Sequence, residues 1–243
     1  MSQRTALVTG ASRGIGAQIC SKLAAEGWDL IVVARNPTGI QEFASALSAG
    51  SGRRVTAIAV DMAEPDAAQV VADATTDIEA LDALILNAAM GTIGALADFP
   101  LRRLDKLLAV NLRAPYALIQ QLLPALRRAG QTSPFGARVI AMASMTGLAG
   151  EPLNSAYGAT KAALVSLCET LSVEEYVHGV NASAVCPGYV ATDMTAELPG
   201  VDPTEMITAA DVAEATVCLT RLTKTVTVPY LPLTRPGPSL WRA

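Results

Sequence analysis

The chain has little that would hold a metal, a nucleic acid or a membrane. It carries a single histidine, His178, and four cysteines, Cys20, Cys168, Cys186 and Cys218, that lie far apart. No CxxC or Cys/His spacing of the zinc-binding kind occurs, and without a second histidine or clustered carboxylates no catalytic metal is expected. His178 precedes "GVN" at a predicted helix end, where a capping charge explains it. The scattered cysteines read as free thiols of the cytosol. Lys and Arg number 18 against 22 Asp and Glu, a formal net charge of -4. With no basic stripe to neutralise a phosphate backbone, no nucleic-acid partner is expected. No apolar run approaches the ~20 residues of a membrane span. The stretch "MSQRTALVTGASRG" interrupts its apolar residues too early for a secretory leader, so the expected compartment is the cytoplasm.

What is present is apolar and periodic. Of the 243 residues 51% are hydrophobic, enough for one domain over 1–243 with a large core. Short apolar runs alternate with amphipathic segments. The runs at 5–10, 29–34, 55–60, 82–87, 137–142 and 181–186 predict strands, and "TVTVPYL" at 225–231 a seventh. Helices are expected over 14–26, 38–49, 66–77, 101–129, 153–178 and 209–222. Most strand runs are apolar throughout, as when helices cover both faces of a parallel sheet. The fold expected is α/β, a Rossmann-type doubly wound parallel sheet of about seven strands, with ligands outside the carboxyl ends of the strands. The Pro-rich ending 229–243 fits no element.

The first strand runs into "TGASRGIG". Gly10, Gly14 and Gly16 let the backbone turn tightly and approach a phosphate, while N–H groups at the helix start face its charge. The spacing Gly-x-x-x-Gly-x-Gly differs from GxGxxG, and a glycine turn needs no ligand; its place after the first strand of a doubly wound pattern favours a dinucleotide. Ser12, Arg13 and Ile15 share that loop. At the end of the second strand a carboxylate would mark NAD, but the chain reads "VVARN". Arg35, with Arg13, suits the extra phosphate of NADP(H), because a guanidinium offers phosphate a planar fork of donors. Asp61, followed by Met62 at the close of the third strand, is placed either to accept from the adenine amino group or to cap the next helix.

"YGATK" sets Tyr157 and Lys161 four residues apart on one helical face. A phenol titrates near ~10 in isolation. An ammonium ~4 Å away at an effective dielectric of ~20 contributes up to ~4 kcal/mol. That would bring Tyr157 toward roughly 7, where it could exchange a proton with substrate.

Taken together, "TGASRGIG", "NAA" at 87–89, Asn111 in "VNL", Ser144 in "AMASMTG", "YGATK" and "PGYVATDM" at 187–194 resemble the short-chain dehydrogenase/reductase family in order and spacing, over residues 5 to 222. The resemblance implies an enzyme that moves hydride between a nicotinamide dinucleotide and a carbonyl or secondary alcohol, with a catalytic set of Asn111, Ser144, Tyr157 and Lys161. Ser144 would hold the substrate oxygen, Lys161 the nicotinamide ribose, and Asn111 a water relaying protons to Lys161. It also implies that Asn87, Ala88 and Ala89 border the cofactor and that Pro187, Gly188, Val190 and Thr192 wrap the nicotinamide. Where the family often has "NNAG" this chain reads "LNAA". Its ending "KTVTVPYLPLTRPGPSLWRA" departs from the family's closing strand and turn.

Residues expected to flank the substrate, Met90, Met145, Leu148, Leu153, Tyr189 and Met194, are mostly apolar. They favour a hydrophobic or acyl-linked carbonyl compound, entering beneath a short lid near 193–208. The helices 101–129 and 153–178 carry more apolar residues than one buried stripe needs, which fits a homodimer or homotetramer. The competing reading is a catalytically silent, dinucleotide-sensing regulator.

Overall fold

The computed structural model describes residues 3–196 and 202–237. Its sheet consists of β1 (Thr5–Thr9), β2 (Asp29–Ala34), β3 (Val55–Ala59), β4 (Ala83–Leu86), β5 (Ala137–Met142), β6 (Val180–Pro187) and β7 (Tyr230–Leu233). Every pairing is parallel, in the order β3-β2-β1-β4-β5-β6-β7. Seven parallel strands with helices on both faces make the expected Rossmann-type sheet. Strand order reverses between β1 and β4, and in such sheets the crevice at that point takes the ligand.

Side chains along each strand divide between two cores. Leu7, Ile31, Val33, Leu84 and Val139 pack on one face, with α3 (Ala67–Asp73), α5 (Ala114–Thr132) and α6 (Ser155–Glu175). Ala6, Val8, Leu30, Val32 and Ile140 pack on the other, with α1 (Gly14–Ala25), α2 (Pro37–Ser51) and α7 (Ala209–Leu219). Burial on both faces is why the strand runs show no polar alternation.

Three elements differ from the sequence expectation. The helix read over 101–129 is α4 (Leu101–Leu108), a wide π-helical turn Ala109–Arg113 and then α5. Pro115, second in α5, has no N–H to give the carbonyl of Asn111, so the regular ladder breaks there. The helix read over 66–77 ends at Asp73, where the Thr75 hydroxyl donates back to Val71 O at 2.9 Å. The last strand begins at Tyr230 rather than 225. The preceding loop is held by buried Arg138, whose guanidinium donates to Leu222 O, Thr223 O and Val226 O at 2.9, 2.6 and 2.9 Å. Among the described residues β7 pairs with β6 alone, so Pro232 is tolerated at the sheet edge. The Pro-rich ending thus supplies the edge strand, while residues 238–243 lie outside those described. Of the expected lid, 197–201 lie outside them as well.

Candidate active site

The loops at the carboxyl ends of β1, β4, β5 and β6 meet over the crevice. Gly10 adopts φ +63 and Gly14 φ +55, backbone that side chains disfavour. A Cβ at Gly16 would lie 2.2 Å from Gly10 O, so only glycine lets α1 start this close to β1. The first turn of α1 carries no acidic side chain, leaving its N–H groups and dipole open to an anion. Asn87 clamps the loop from β4, its Nδ2 donating to Thr9 O and Gly10 O at 3.0 Å each. The Thr9 hydroxyl accepts from the N–H groups of Asn87 and Ala88. Leu86, where the family often has a polar residue, is buried as part of β4.

Arg35 is exposed beyond β2. Arg13, expected to join it, is exposed and pairs with Asp193 at 2.9 Å. Asp61 caps neither α3 nor its first turn: its carboxylate accepts from Ala63 N at 3.0 Å, closing a local turn, and α3 begins only at Ala67. Met62 beside it is buried.

Ser144 leaves the end of β5, and its Oγ accepts from Thr146 N at 3.2 Å and Thr146 Oγ1 at 3.0 Å. It stands within hydrogen-bonding reach of Tyr157, which lies in the first turn of α6. Lys161, one turn further on, is 1% exposed and donates to Met142 O at 2.7 Å. Its ammonium lies 5.4 Å from the centroid of the Tyr157 ring, over the face of the phenol. Asn111 is fully buried in the π-helical turn. Its Oδ1 accepts from Met90 N at 2.8 Å, and its Nδ2 donates to Met90 O at 2.9 Å and Thr160 Oγ1 at 3.1 Å. Thr160 donates in turn to Tyr157 O at 2.7 Å. The four residues named by the sequence thus converge, joined by a chain from the loop after β4 to the turn that bears Tyr157. Thr160 was missed, although its place three residues after Tyr157, inside "YGATK", is where a threonine hydroxyl bonds back to the helix.

The electrostatics contradict one expectation. Burial pushes Tyr157 up to about 12, opposed only in part by the hydrogen bond with Ser144. Burial likewise pulls Lys161 down to about 8. With Tyr157 only half-buried and the ammonium over its ring rather than beside its hydroxyl, desolvation outweighs charge attraction.

On the loops after β5, β6 and β4, Leu153, Met194 and Ile93 are exposed apolar side chains, at 52%, 50% and 40%. Leu153 is the one non-glycine residue among those described with a left-handed backbone, φ 66, and its carbonyl accepts from Gly94 N at 2.8 Å. Met145, expected in the pocket, is 1% exposed and belongs to the core. Met90, Leu148 and Tyr189 are half-buried. The Tyr189 hydroxyl donates to Glu151 Oε1 at 2.7 Å, fixing the ring between the loops after β5 and β6. Among the described residues no group of three or more His, Cys, Asp or Glu side chains could hold a metal, and no helix is long and apolar enough to cross a membrane.

The sequence pattern described as short chain dehydrogenase matches residues 4–200. The ketoacyl reductase HetN of Nostoc sp. is 33% identical over 199 residues, 81% of this chain and 67% of that protein. A D-beta-hydroxybutyrate dehydrogenase of Cupriavidus necator is 34% identical over 197 residues, covering 80% and 73%. Among solved structures, an alcohol dehydrogenase from the archaeon Thermococcus sibiricus, complexed with 5-hydroxy-NADP, superposes with a TM-score of 0.86 at 26% identity, over 97% of this chain and all of that one.

Proposed function

Because this chain belongs to the short-chain dehydrogenase/reductase family, we propose that it is an NADP(H)-dependent oxidoreductase interconverting a carbonyl compound and a secondary alcohol. One domain would carry both the cofactor crevice and the substrate site. The observation that carries the reading is the meeting of Ser144, Tyr157 and Lys161 at the end of β5, beside a glycine crevice shaped for a phosphate. When bound, the dinucleotide supplies or accepts the hydride. Tyr157 donates the proton that a newly formed alkoxide needs, and Ser144 holds the reacting oxygen.

The elevated Tyr157 suits reduction. A phenol near 12 still protonates an alkoxide, whose conjugate acid is about as weak as bulk water at ~15.7. The Lys161 ammonium, near 8, in turn reprotonates the phenolate, so each proton step runs downhill toward product. Asn111 has its amide committed to Met90 and Thr160. Its side chain thereby positions the turn that bears Tyr157.

Arg35 would read the additional phosphate of NADP(H); the NADP-type ligand of the Thermococcus relative supports this choice. Arg35→Asp is expected to weaken NADPH binding about 10- to 100-fold, the range for losing a charge-assisted contact, with little effect on NADH. Fluorescence titration checks this, and equal affinities before and after would refute the assignment. An apolar carbonyl substrate is supported by the exposed apolar side chains of Leu153, Met194 and Ile93, and an acyl-linked one by the similarity to HetN. Purified protein should oxidise NADPH with members of a panel of ketones and 3-oxoacyl esters.

A second copy would cover the groove of about 680 Å³ between α5 and α6, lined by Leu108, Leu112, Tyr116, Ala117 and Leu167. Tyr116, 50% exposed, would be buried there. Light scattering should show an oligomer that Tyr116→Glu converts to monomer; a monomeric unsubstituted protein would remove this reading. Four free cysteines, three of them buried, fit the cytoplasm.

A further inference from the structure

We propose, on the oxidoreductase reading of the site, that Glu151 is a positioning residue for Tyr157, its carboxylate joining the loop after β6 to the residue that opens the helix bearing the phenol. The Tyr189 hydroxyl donates to Glu151 Oε1 at 2.7 Å, and Asn154 Nδ2 donates to Oε2 at 2.9 Å. Each carboxylate oxygen thus has its own partner, one beyond β6 and one at the start of α6. Asn154 is the N-cap of α6 and is 9% exposed. An asparagine in that place ordinarily accepts from an N–H of the first helical turn, but the Asn154 side chain makes no such bond. Its amide is turned to Glu151 instead. The Asn154 N–H donates to Glu151 O at 3.2 Å, and its carbonyl accepts from Gly158 N at 2.7 Å. Tyr157 follows three residues later, so whatever sets Asn154 sets the turn that holds the phenol.

The far end of the junction is fixed as well. The Arg235 guanidinium lies 5.6 Å from the centroid of the Tyr189 ring. Burial, aided by the neighbouring Glu151 carboxylate, pushes the Tyr189 hydroxyl up to about 12, so it remains a donor throughout the neutral range. Between Glu151 and Asn154 the backbone is strained, Leu153 having φ 66. A residue with a side chain stays in that region only where its surroundings over-determine it. Two constraints do so here: Leu153 O accepts from Gly94 N at 2.8 Å, and Glu151 anchors the chain just before it. Released from Glu151, the segment 151–154 relaxes and the start of α6 moves with it. What Glu151 supplies is shape more than charge. Glutamine keeps that shape, its Oε1 accepting from Tyr189 and its Nε2 donating to the Asn154 amide once the latter is flipped.

The test is steady-state kinetics of the full chain with NADPH and a responsive ketone, beside an NADPH titration and a thermal melt of each variant. Glu151→Ala is expected to lower kcat about 10- to 100-fold, the effect of a catalytic group displaced by up to ~1 Å, with the KM for the ketone and the NADPH affinity nearly unchanged. Glu151→Gln should recover most of the parent kcat. Tyr189→Phe, which removes one arm of the junction, should fall between the parent and Glu151→Ala. Adding it to Glu151→Ala should cost nothing further, because both break the same link. A Glu151→Gln variant as slow as Glu151→Ala would make the charge the working feature and overturn the proposal. So would a raised KM with unchanged kcat, which would make Glu151 a wall of the substrate site, or a parent-like rate in Glu151→Ala. Should Glu151→Ala not fold, the comparison of Tyr189→Phe with Glu151→Gln decides: the first slowed and the second not supports the junction, and a parent-like Tyr189→Phe overturns it. Absence of turnover in the unsubstituted protein with every ketone tried would instead refute the oxidoreductase reading, and the positioning role with it.

Discussion

Tyr157→Phe is expected to lower turnover by about 10²- to 10⁴-fold, the contribution of a positioned general acid, while NADPH still binds. The substitution removes one oxygen and leaves the ring that faces the Lys161 ammonium at 5.4 Å. Ser144 loses the neighbouring hydroxyl but keeps its bonds from Thr146. Because the phenol is held near 12 by burial, it is protonated throughout the neutral range. The reductive rate should therefore not follow titration of Tyr157 below pH 10. Steady-state rates with NADPH and a responsive ketone, together with a binding titration, check both halves. A variant that turns over like the parent would remove Tyr157 from the chemistry.

Lys161→Met is expected to abolish most activity without loss of stability. The fall from an ordinary 10.5 to about 8 corresponds to about 3 kcal/mol held against the folded state by the buried charge. The sign follows from proton counts. Between about 8 and 10.5 the unfolded chain binds the proton that folded Lys161 gives up, so this cost is complete below about pH 8 and fades as pH rises through the window. Methionine relieves it but leaves Met142 O without its 2.7 Å donor, which returns about 1–3 kcal/mol. At pH 7 the melting temperature should hold or rise by a few degrees, and any advantage over the parent should shrink toward pH 10. In the parent, the reductive rate should decline above about pH 8, where Lys161 no longer carries the proton that restores Tyr157. Thermal melts across pH, beside the pH–rate profile, test the two statements. A variant that loses stability at pH 7 and regains it at high pH would reverse the sign and refute the buried-charge account.

Much of this was legible in the sequence because it is local. Strands buried on both faces are apolar without alternation, and the glycine loop announces itself by following the first of them. Ser144, Tyr157, Lys161 and Asn111 stand in short motifs whose order the sheet converts into proximity. The features that were not legible depend on the fold as a whole. The break in the long helix rests on Pro115 withholding one hydrogen bond from Asn111, a signal present in "NLRAP" but easily lost in an apolar periodicity. The last strand moved because buried Arg138 collects the carbonyls of the 222–226 loop, a contact across more than 80 residues. The Tyr157 expectation assumed an ammonium ~4 Å from the phenol at an effective dielectric of ~20, whereas packing put the charge over the ring, 5.4 Å from its centroid, and partly buried the phenol. Arg13 was read with Arg35 because both are cations near one phosphate position. In the structure Arg13 also pairs with Asp193, 180 residues away, a contact that carries no local pattern.

The central claim is that this site reduces a carbonyl group by hydride transfer coupled to a proton from Tyr157. The direct measurement is the fate of the label when the responsive carbonyl compound is incubated with NADPH dideuterated at nicotinamide C4. The predicted result is an alcohol carrying one deuterium on its carbinol carbon, formed about 10²-fold or more slowly by Tyr157→Phe. Tight NADPH binding with no labelled alcohol from any member of the panel would contradict it, and would leave a dinucleotide-sensing protein in place of an enzyme.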